Sequence, residues 1–245
     1  MKTLVFASRN SKEILREPAT LAFGIGFPLV VLLLLSAIQS NIPISLFKIE
    51  SLSPGIAVFG LSFLALFAGM LIAKDRTTSF LMRLFASPLT ATDFILGYIT
   101  PLLPMAVAQT IVCFLAAFFL GLTLSVNVLL AIVTLIPTAA LFIGIGLLAG
   151  SVLSEKAVGG ICGALLTNVS AWLSGTWFDL NLVGSGFKAV AYALPFAHAV
   201  DATRAALSGD HTAILPHLIW VIGYAGLILV VAIAVFSAQM KSDNS

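Results

Sequence analysis

Residues able to do chemistry are few in this chain, and they gather at the ends of long apolar runs. The densest group is Lys74, Asp75, Arg76 and Arg83, in a stretch that reads Lys74-Asp75-Arg76-Thr77-Thr78-Ser79-Phe80-Leu81-Met82-Arg83-Leu84-Phe85-Ala86-Ser87-Pro88. Fixed charges interleaved with Phe80, Leu81, Leu84 and Phe85 suit contact with another protein, because residues 77–85 as a short helix put those four on one apolar side. Arg9, Lys12 and Arg16 form a second basic group near the N-terminus. Asp179, Asp201 and Arg204 form a third group, where interfacial solvation or local pairing is the simplest reading.

Catalytic and metal chemistry find little support. A phosphate-cradling loop needs a Gly-rich turn ending in Lys and Ser/Thr, and no G-x-x-x-x-G-K-[ST] occurs. ATP chemistry would therefore belong to another chain. Ser174-Gly175 and His198 raise an intramembrane serine protease, but Trp172 stands where that chemistry's motif has Gly, and His198 falls outside a span. No catalytic residue, metal ligand or cofactor site is assigned. Cys113 and Cys162 sit inside apolar runs and read as small hydrophobes.

The elements that position these residues are membrane helices. The chain has 245 residues, 60% hydrophobic and 9% charged. A soluble domain carries roughly a quarter charged residues, so lipid is the main solvent here. In lipid every backbone polar group must be paired internally. The runs lack the alternation of barrel strands, which leaves an all-α polytopic bundle. Six spans of about 20 residues are expected at 21–38, 55–73, 97–120, 128–152, 158–175 and 214–236.

Six spans put both termini on one side. With that side inside, the inner parts hold Lys2, Arg9, Lys12, Arg16, Lys74, Arg76, Arg83, Lys156 and Lys241, against Lys48, Lys188 and Arg204 outside, nine of the twelve Lys and Arg against three. The positive-inside bias places both termini in the cytoplasm. Residues 1–18 read as an interfacial helix with basic residues near lipid headgroups, and Leu4, Val5, Ile14 and Leu15 are expected to share a face. Nothing there reads as a cleavable signal peptide. Residues 74–96 are the large cytoplasmic loop, with Asp93 as an expected helix cap. Residues 176–213 are external, with two short segments separated at Pro195, read as a re-entrant or interfacial hairpin. The whole reads as one transmembrane domain over 1–245, with no nucleic-acid signal in a net charge of +2.

Within the spans, Phe59, Phe63 and Phe67 recur every four residues as one stripe. That stripe is either helix packing or a greasy wall for an amphipathic substrate. Trp172 and Trp177, with Phe178, mark the outer end of the fifth span. Gly146-x-x-x-Gly150 and Gly159-x-x-x-Gly163 permit close helix contact. The spans lack an internal carboxylate for ion coupling.

In order along the chain, several motifs resemble those of the ABC-2 type permease family, the membrane half of many bacterial ATP-driven exporters. Arg9-Asn10 through Leu15-Arg16-Glu17-Pro18 resembles the family's interfacial helix, and Ser53-Pro54-Gly55 the start of its second span. Asp75-Arg76 through Arg83-Leu84 and Ser87-Pro88-Leu89 is similar to "D-R-x-x-G-x-L-x-R-L-x-x-S-P-L", with Ser79 in place of the usual Gly. Leu194-Pro195-Phe196 through Asp201 and Arg204 resembles the last external motif. The resemblance implies two permease chains, either two different ones or two copies of this one as a homodimer, paired with two cytoplasmic ATPase subunits that bind ATP and Mg. Arg9, Lys12, Arg16, Asp75, Arg76, Phe80, Leu81, Arg83 and Leu84 would couple to the ATPases. Phe59, Phe63, Phe67, Trp172, Trp177 and Phe178 would border the substrate path, and Pro195, Asp201 and Arg204 an external gate. The implied activity is export of a drug, antibiotic or lipid-like compound across the bacterial cytoplasmic membrane. The alternatives are a polysaccharide or glycolipid exporter, and a channel or carrier without ATPase partners.

Overall fold

The computed structural model describes residues 2–18, 22–78 and 89–242. All regular structure among them is helical. Helix α1 (Lys2–Arg16) precedes a π-helical turn (Ala22–Gly26) that runs into α2 (Phe27–Ser40). Then come α3 (Ile49–Thr77), α4 (Ala91–Phe119) and α5 (Val126–Val152). Helix α6 (Glu155–Val158) continues through a π-helical stretch (Gly159–Leu166) into α7 (Thr167–Leu173). A 3-10 turn (Leu180–Leu182), α8 (Ser185–Ala193), α9 (Pro195–Ser208) and α10 (His211–Ser242) complete the fold.

Five helical stretches are long and apolar enough to cross a membrane: Ala22–Ser40, Ile49–Thr77, Ala91–Phe119, Val126–Val152 and His211–Met240. The fifth expected span, 158–175, is helical through Leu173 but changes from α to π winding at Gly159 and back at Thr167. Glycines at 159, 160 and 163 weaken α propensity there and admit the wider turn.

Helix α3 is the axis. Within its most apolar window 83% of residues are buried, against 17% for α2 and for α10, so the latter two lie at the rim. Its contact with α5 is made possible by missing side chains. A Cβ on Gly146 would run into the backbone of Ala65, and one on Gly150 into the Gly69 carbonyl and Ile72. Backbone approach of this kind is how helices gain dispersion energy in lipid, where burial gives no hydrophobic drive. The other glycine pair behaves differently: Gly163 faces Leu66, while Gly159 meets nothing.

Local signals set the helix ends around the site. Thr90 is the N-cap of α4 and forms a reciprocal capping box with Asp93, so Asp93 is the third helical residue and not the cap expected for it. Leu194 is extended because Pro195 follows, and Pro195 starts α9 without a missing hydrogen bond. Gly209 closes α9 at φ 78°, a left-handed position suited to glycine. The two short segments expected on either side of Pro195 are thus α8 and α9.

Candidate functional site

Helix α1 docks under the C-terminal end of α3 and the N-terminal end of α4. Its buried face is Phe6, Ala7, Asn10 and Ile14. Leu4, Val5 and Leu15 point outward at 67%, 72% and 68% exposure, so Ile14 does not share their face as expected. Phe6 packs edge-on to Phe94 and Tyr98 over Gly97, where a Cβ would run into its ring. Asn10 Nδ2 donates to the Gly97 carbonyl at 3.1 Å.

An ion-pair joint crosses this contact. Asp75 is 2% exposed near the end of α3. Arg9 donates to both of its oxygens, Nη1 to Oδ2 and Nη2 to Oδ1, each at 2.8 Å. Tyr98 Oη donates to Oδ2, also at 2.8 Å. The fork geometry of guanidinium on carboxylate fixes orientation as well as charge. Arg9 Nη2 also pairs with Glu13 at 2.7 Å, and Lys74 Nζ bridges Glu13 at 3.0 Å and Glu17 at 3.3 Å. Burial works to lower the Arg9 pKa, but the Asp75 hydrogen bond and charge, with Glu13, outweigh it and raise it. Three elements, α1, α3 and α4, are thereby joined at one buried carboxylate. Thr3 Oγ1 adds a bond to Asp93 at 2.7 Å.

Arg76 is turned another way. Its Nη1 donates to the carbonyls of Gly150 at 3.0 Å and Leu153 at 3.1 Å, capping the end of α5 where the helix dipole is negative. Lys12 and Arg16 are exposed and line an open groove of about 830 Å³ with Arg9, Glu13, Glu17 and Lys74. Phe80, Leu81, Arg83 and Leu84, and the short helix expected over 77–85, lie outside the described residues apart from Thr77 and Thr78, where α3 ends.

The aromatic stripe divides. Phe59 and Phe63 are buried against Phe27, with Trp177 edge-on to Phe59 at 5.4 Å, which is helix packing. Phe67 instead borders a mostly apolar cavity of about 450 Å³ with Phe23, Leu66 and Met70, rimmed by Lys74 and Glu155. Trp172 is 59% exposed and outside both groups.

At the opposite end, Trp177 and Phe178 line a polar cavity of about 370 Å³ with Asp179, Tyr192, Asp201 and Arg204. Arg204 reaches across to α3, donating from Nε and Nη2 to the Ser51 carbonyl at 3.2 and 3.1 Å, and from Nη2 to Gly175 at 2.9 Å. Its Nη1 lies 3.6 Å from Asp201. Burial lowers the Arg204 pKa, against the pull of Asp201. Tyr192 donates to Asp201 at 2.7 Å, and burial followed by that bond pushes its phenol up to about 12. Local pairing is thus what holds Asp201 and Arg204. Pro195 lies behind them as the first residue of α9.

Ser174 Oγ bonds Ala171 O and Thr176 Oγ1, and the His198 ring nitrogens bond His217 and the Tyr192 carbonyl. Those partners leave Ser174 and His198 unassociated, which removes the geometry a serine hydrolase needs. Among the described residues no group of three or more His, Cys, Asp or Glu is placed to hold a metal. Sequence reasoning gave no site role to Tyr98, Phe6, Asn10, His217 or the carboxylate Glu13. The four-residue spacing of Phe6, Asn10 and Ile14 was a legible signal; the approach of Tyr98 to Asp75 was not.

The family model described as ABC-2 type transporter matches residues 1–208. A protein named transport permease ycf38 from Porphyra purpurea is 33% identical over 51% of this chain and 46% of its own length. One of the same name from Pyropia yezoensis is 36% identical over 44% of this chain and 40% of its own. The chain spans less than half the length of these curated relatives in each match. No solved structure matches it.

Proposed function

The chain belongs to the ABC-2 type transporter family, and from that we infer that it is the permease subunit of an ATP-driven exporter. The carrying observation is the joint at Asp75. The interfacial helix α1, the end of α3 and the start of α4 meet at one buried carboxylate, beside the charged loop 74–96. A push on that loop by a partner is carried into two membrane helices at once. Rigid ion-pair and aromatic contacts suit such transmission because they have discrete arrangements and do not deform continuously. Lys12 and Arg16, on the open groove, face the acidic surface of the partner ATPase; Arg83 and Leu84 extend the same contact.

In this reading the six helical segments span the bacterial cytoplasmic membrane, with 155–173 as the fifth and both termini inside. The Lys/Arg distribution supports that orientation. Two copies pair, and two ATPase subunits supply ATP and Mg. The substrate is amphipathic. The cavity beside Phe67 supports this, since an apolar wall of Phe23, Phe67 and Met70 ends in a charged rim of Lys74 and Glu155. Pro195, Asp201 and Arg204 gate the outer cavity.

The test is purification of the tagged chain from native membranes in mild detergent, with mass spectrometry of its companions. A Walker-motif ATPase is expected, and it should be lost on Arg83→Glu or Leu84→Asp. Recovery of this chain alone, in detergents that preserve other transporter complexes, would move the reading to an ATPase-independent carrier.

A further inference from the structure

The outer end holds titratable groups that coupling to an ATPase leaves unused. His198, near the start of α9, is 7% exposed. Its Nε2 lies 3.0 Å from the Tyr192 carbonyl of α8, and its Nδ1 lies 2.8 Å from Nδ1 of His217 in α10. A carbonyl can only accept, so Nε2 of His198 carries a proton. When His198 is neutral its Nδ1 is therefore bare, and His217 Nδ1 must be the donor. The geometry fixes both neutral tautomers.

Adding protons has two different consequences. The first goes to Nε2 of His217 and leaves the Nδ1–H···Nδ1 bond intact. The second has only Nδ1 of His198 to occupy. Two N–H groups would then face each other at 2.8 Å on two cations, and the contact turns from bond to repulsion. Neighbouring groups hold the pair in register. Trp220 stacks on His198 at 5.1 Å and 2° between planes. Tyr224 Oη donates to the Ala193 carbonyl at 2.7 Å, a second tie from α10 to the end of α8.

We propose that His198 and His217 form a proton-operated latch that holds the α8–α9 hairpin against α10, closed until both imidazoles are charged. The groups facing it are Tyr192 from α8, Asp201 and Arg204 from α9, and His217 and Tyr224 from α10. Helix α3 and the turn after α7 reach α9 through the Ser51 and Gly175 carbonyls on Arg204, and α5 through Phe142 stacked on Phe196. The charges that act on His198 are those of His217, which opposes protonation, and Asp201, which favours it. Burial, the largest influence, pushes His198 below its ordinary 6.5. A depressed folded value means the unfolded or open form binds the proton more readily. The latch is accordingly at full strength above about pH 6.5 and weakens as pH falls through the lower folded value.

Hydrogen–deuterium exchange of the full chain in lipid nanodiscs tests this, at about pH 7.5 and about pH 5, corrected for the intrinsic pH dependence of exchange. Peptides covering α8 and the first turns of α9 are expected to lose protection by roughly tenfold at the lower pH, while α3 does not change. In His217→Gln and in His198→Gln a hydrogen-bonding side chain remains but only one group titrates. Both variants should keep their protection at the lower pH. No pH-dependent change in the wild type, or the same change in both variants, overturns the proposal.

Discussion

Removing Arg9 should destabilise this protein far more than its place on a terminal surface helix suggests. Arg9→Ala deletes both guanidinium bonds to Asp75 and leaves a 2% exposed carboxylate with only the Tyr98 hydroxyl. Truncating one partner of a buried pair costs about 3–5 kcal/mol, mostly from the charge left behind. Arg9 is itself 35% exposed, so water can enter where it stood, and about 2–4 kcal/mol is the better figure. Asp75→Asn removes the charge but keeps an acceptor for Tyr98 and leaves Arg9 paired with Glu13, so it should cost about 1–2 kcal/mol. In the double variant no buried charge remains to be stranded. Its cost should fall short of the sum by about 1.5–3 kcal/mol. Equilibrium unfolding in mixed micelles, followed by far-UV circular dichroism, reads all four corners of the cycle. Additivity within about 0.5 kcal/mol would refute the joint, since residues in direct contact must couple. Arg9→Lys is a useful fifth protein: an ammonium cannot reproduce the fork, so most of the coupling should still be lost.

The two glycine pairs, alike in sequence, should respond oppositely. Gly146→Leu drives a side chain into the Ala65 backbone and should cost about 3 kcal/mol of unfolding stability, whereas Gly159→Ala, facing open space, should stay within about 0.5 kcal/mol. Gln109 sits buried between α3 and α4 with Oε1 unpaired and Nε2 only 3.5 Å from the Ala57 carbonyl. Gln109→Met should therefore raise stability by about 1 kcal/mol, read as a higher detergent-unfolding midpoint. Arg204→Ala strands the Ser51 and Gly175 carbonyls, and Arg204→Lys cannot span both. Limited proteolysis should cut between 176 and 193 faster in each, by roughly tenfold for the alanine. Ser174→Ala should leave transport in vesicles unchanged, because its hydroxyl is engaged locally with Ala171 O and Thr176 Oγ1.

The sequence made the helical class legible because lipid imposes it: with so few charges the backbone must pair internally, and the runs lack the alternation a closed barrel would show. Five of the six expected spans are long helices, and the ends moved by a few residues where Thr90 and Gly209 set caps. The fifth span was harder because its small residues signal closeness of some helix to some other, and not which turn winds as π. Gly146-x-x-x-Gly150 and Gly159-x-x-x-Gly163 carry the same pattern, yet only the first lies against a backbone. What distinguishes them is the partner, Ala65 and Gly69 on α3, and partners are set by tertiary arrangement.

The site shows the same boundary from the side of charge. Asp75 and Arg76 are adjacent in sequence and lie together in the motif, which made them look like one feature. On a helix, neighbouring positions diverge by about 100°. Asp75 consequently turns inward to Arg9 and Tyr98, and Arg76 turns to the end of α5. One residue fastens α1 and α4 to α3, and the next fastens α5 to it. A charged pair that reads as a docking surface is thus, in the fold, the point where three helices are held to a common axis. In the proposed coupling, movement imposed at the loop that follows acts on this point, and the buried carboxylate, more than the exposed cations, is where substitution should be felt most.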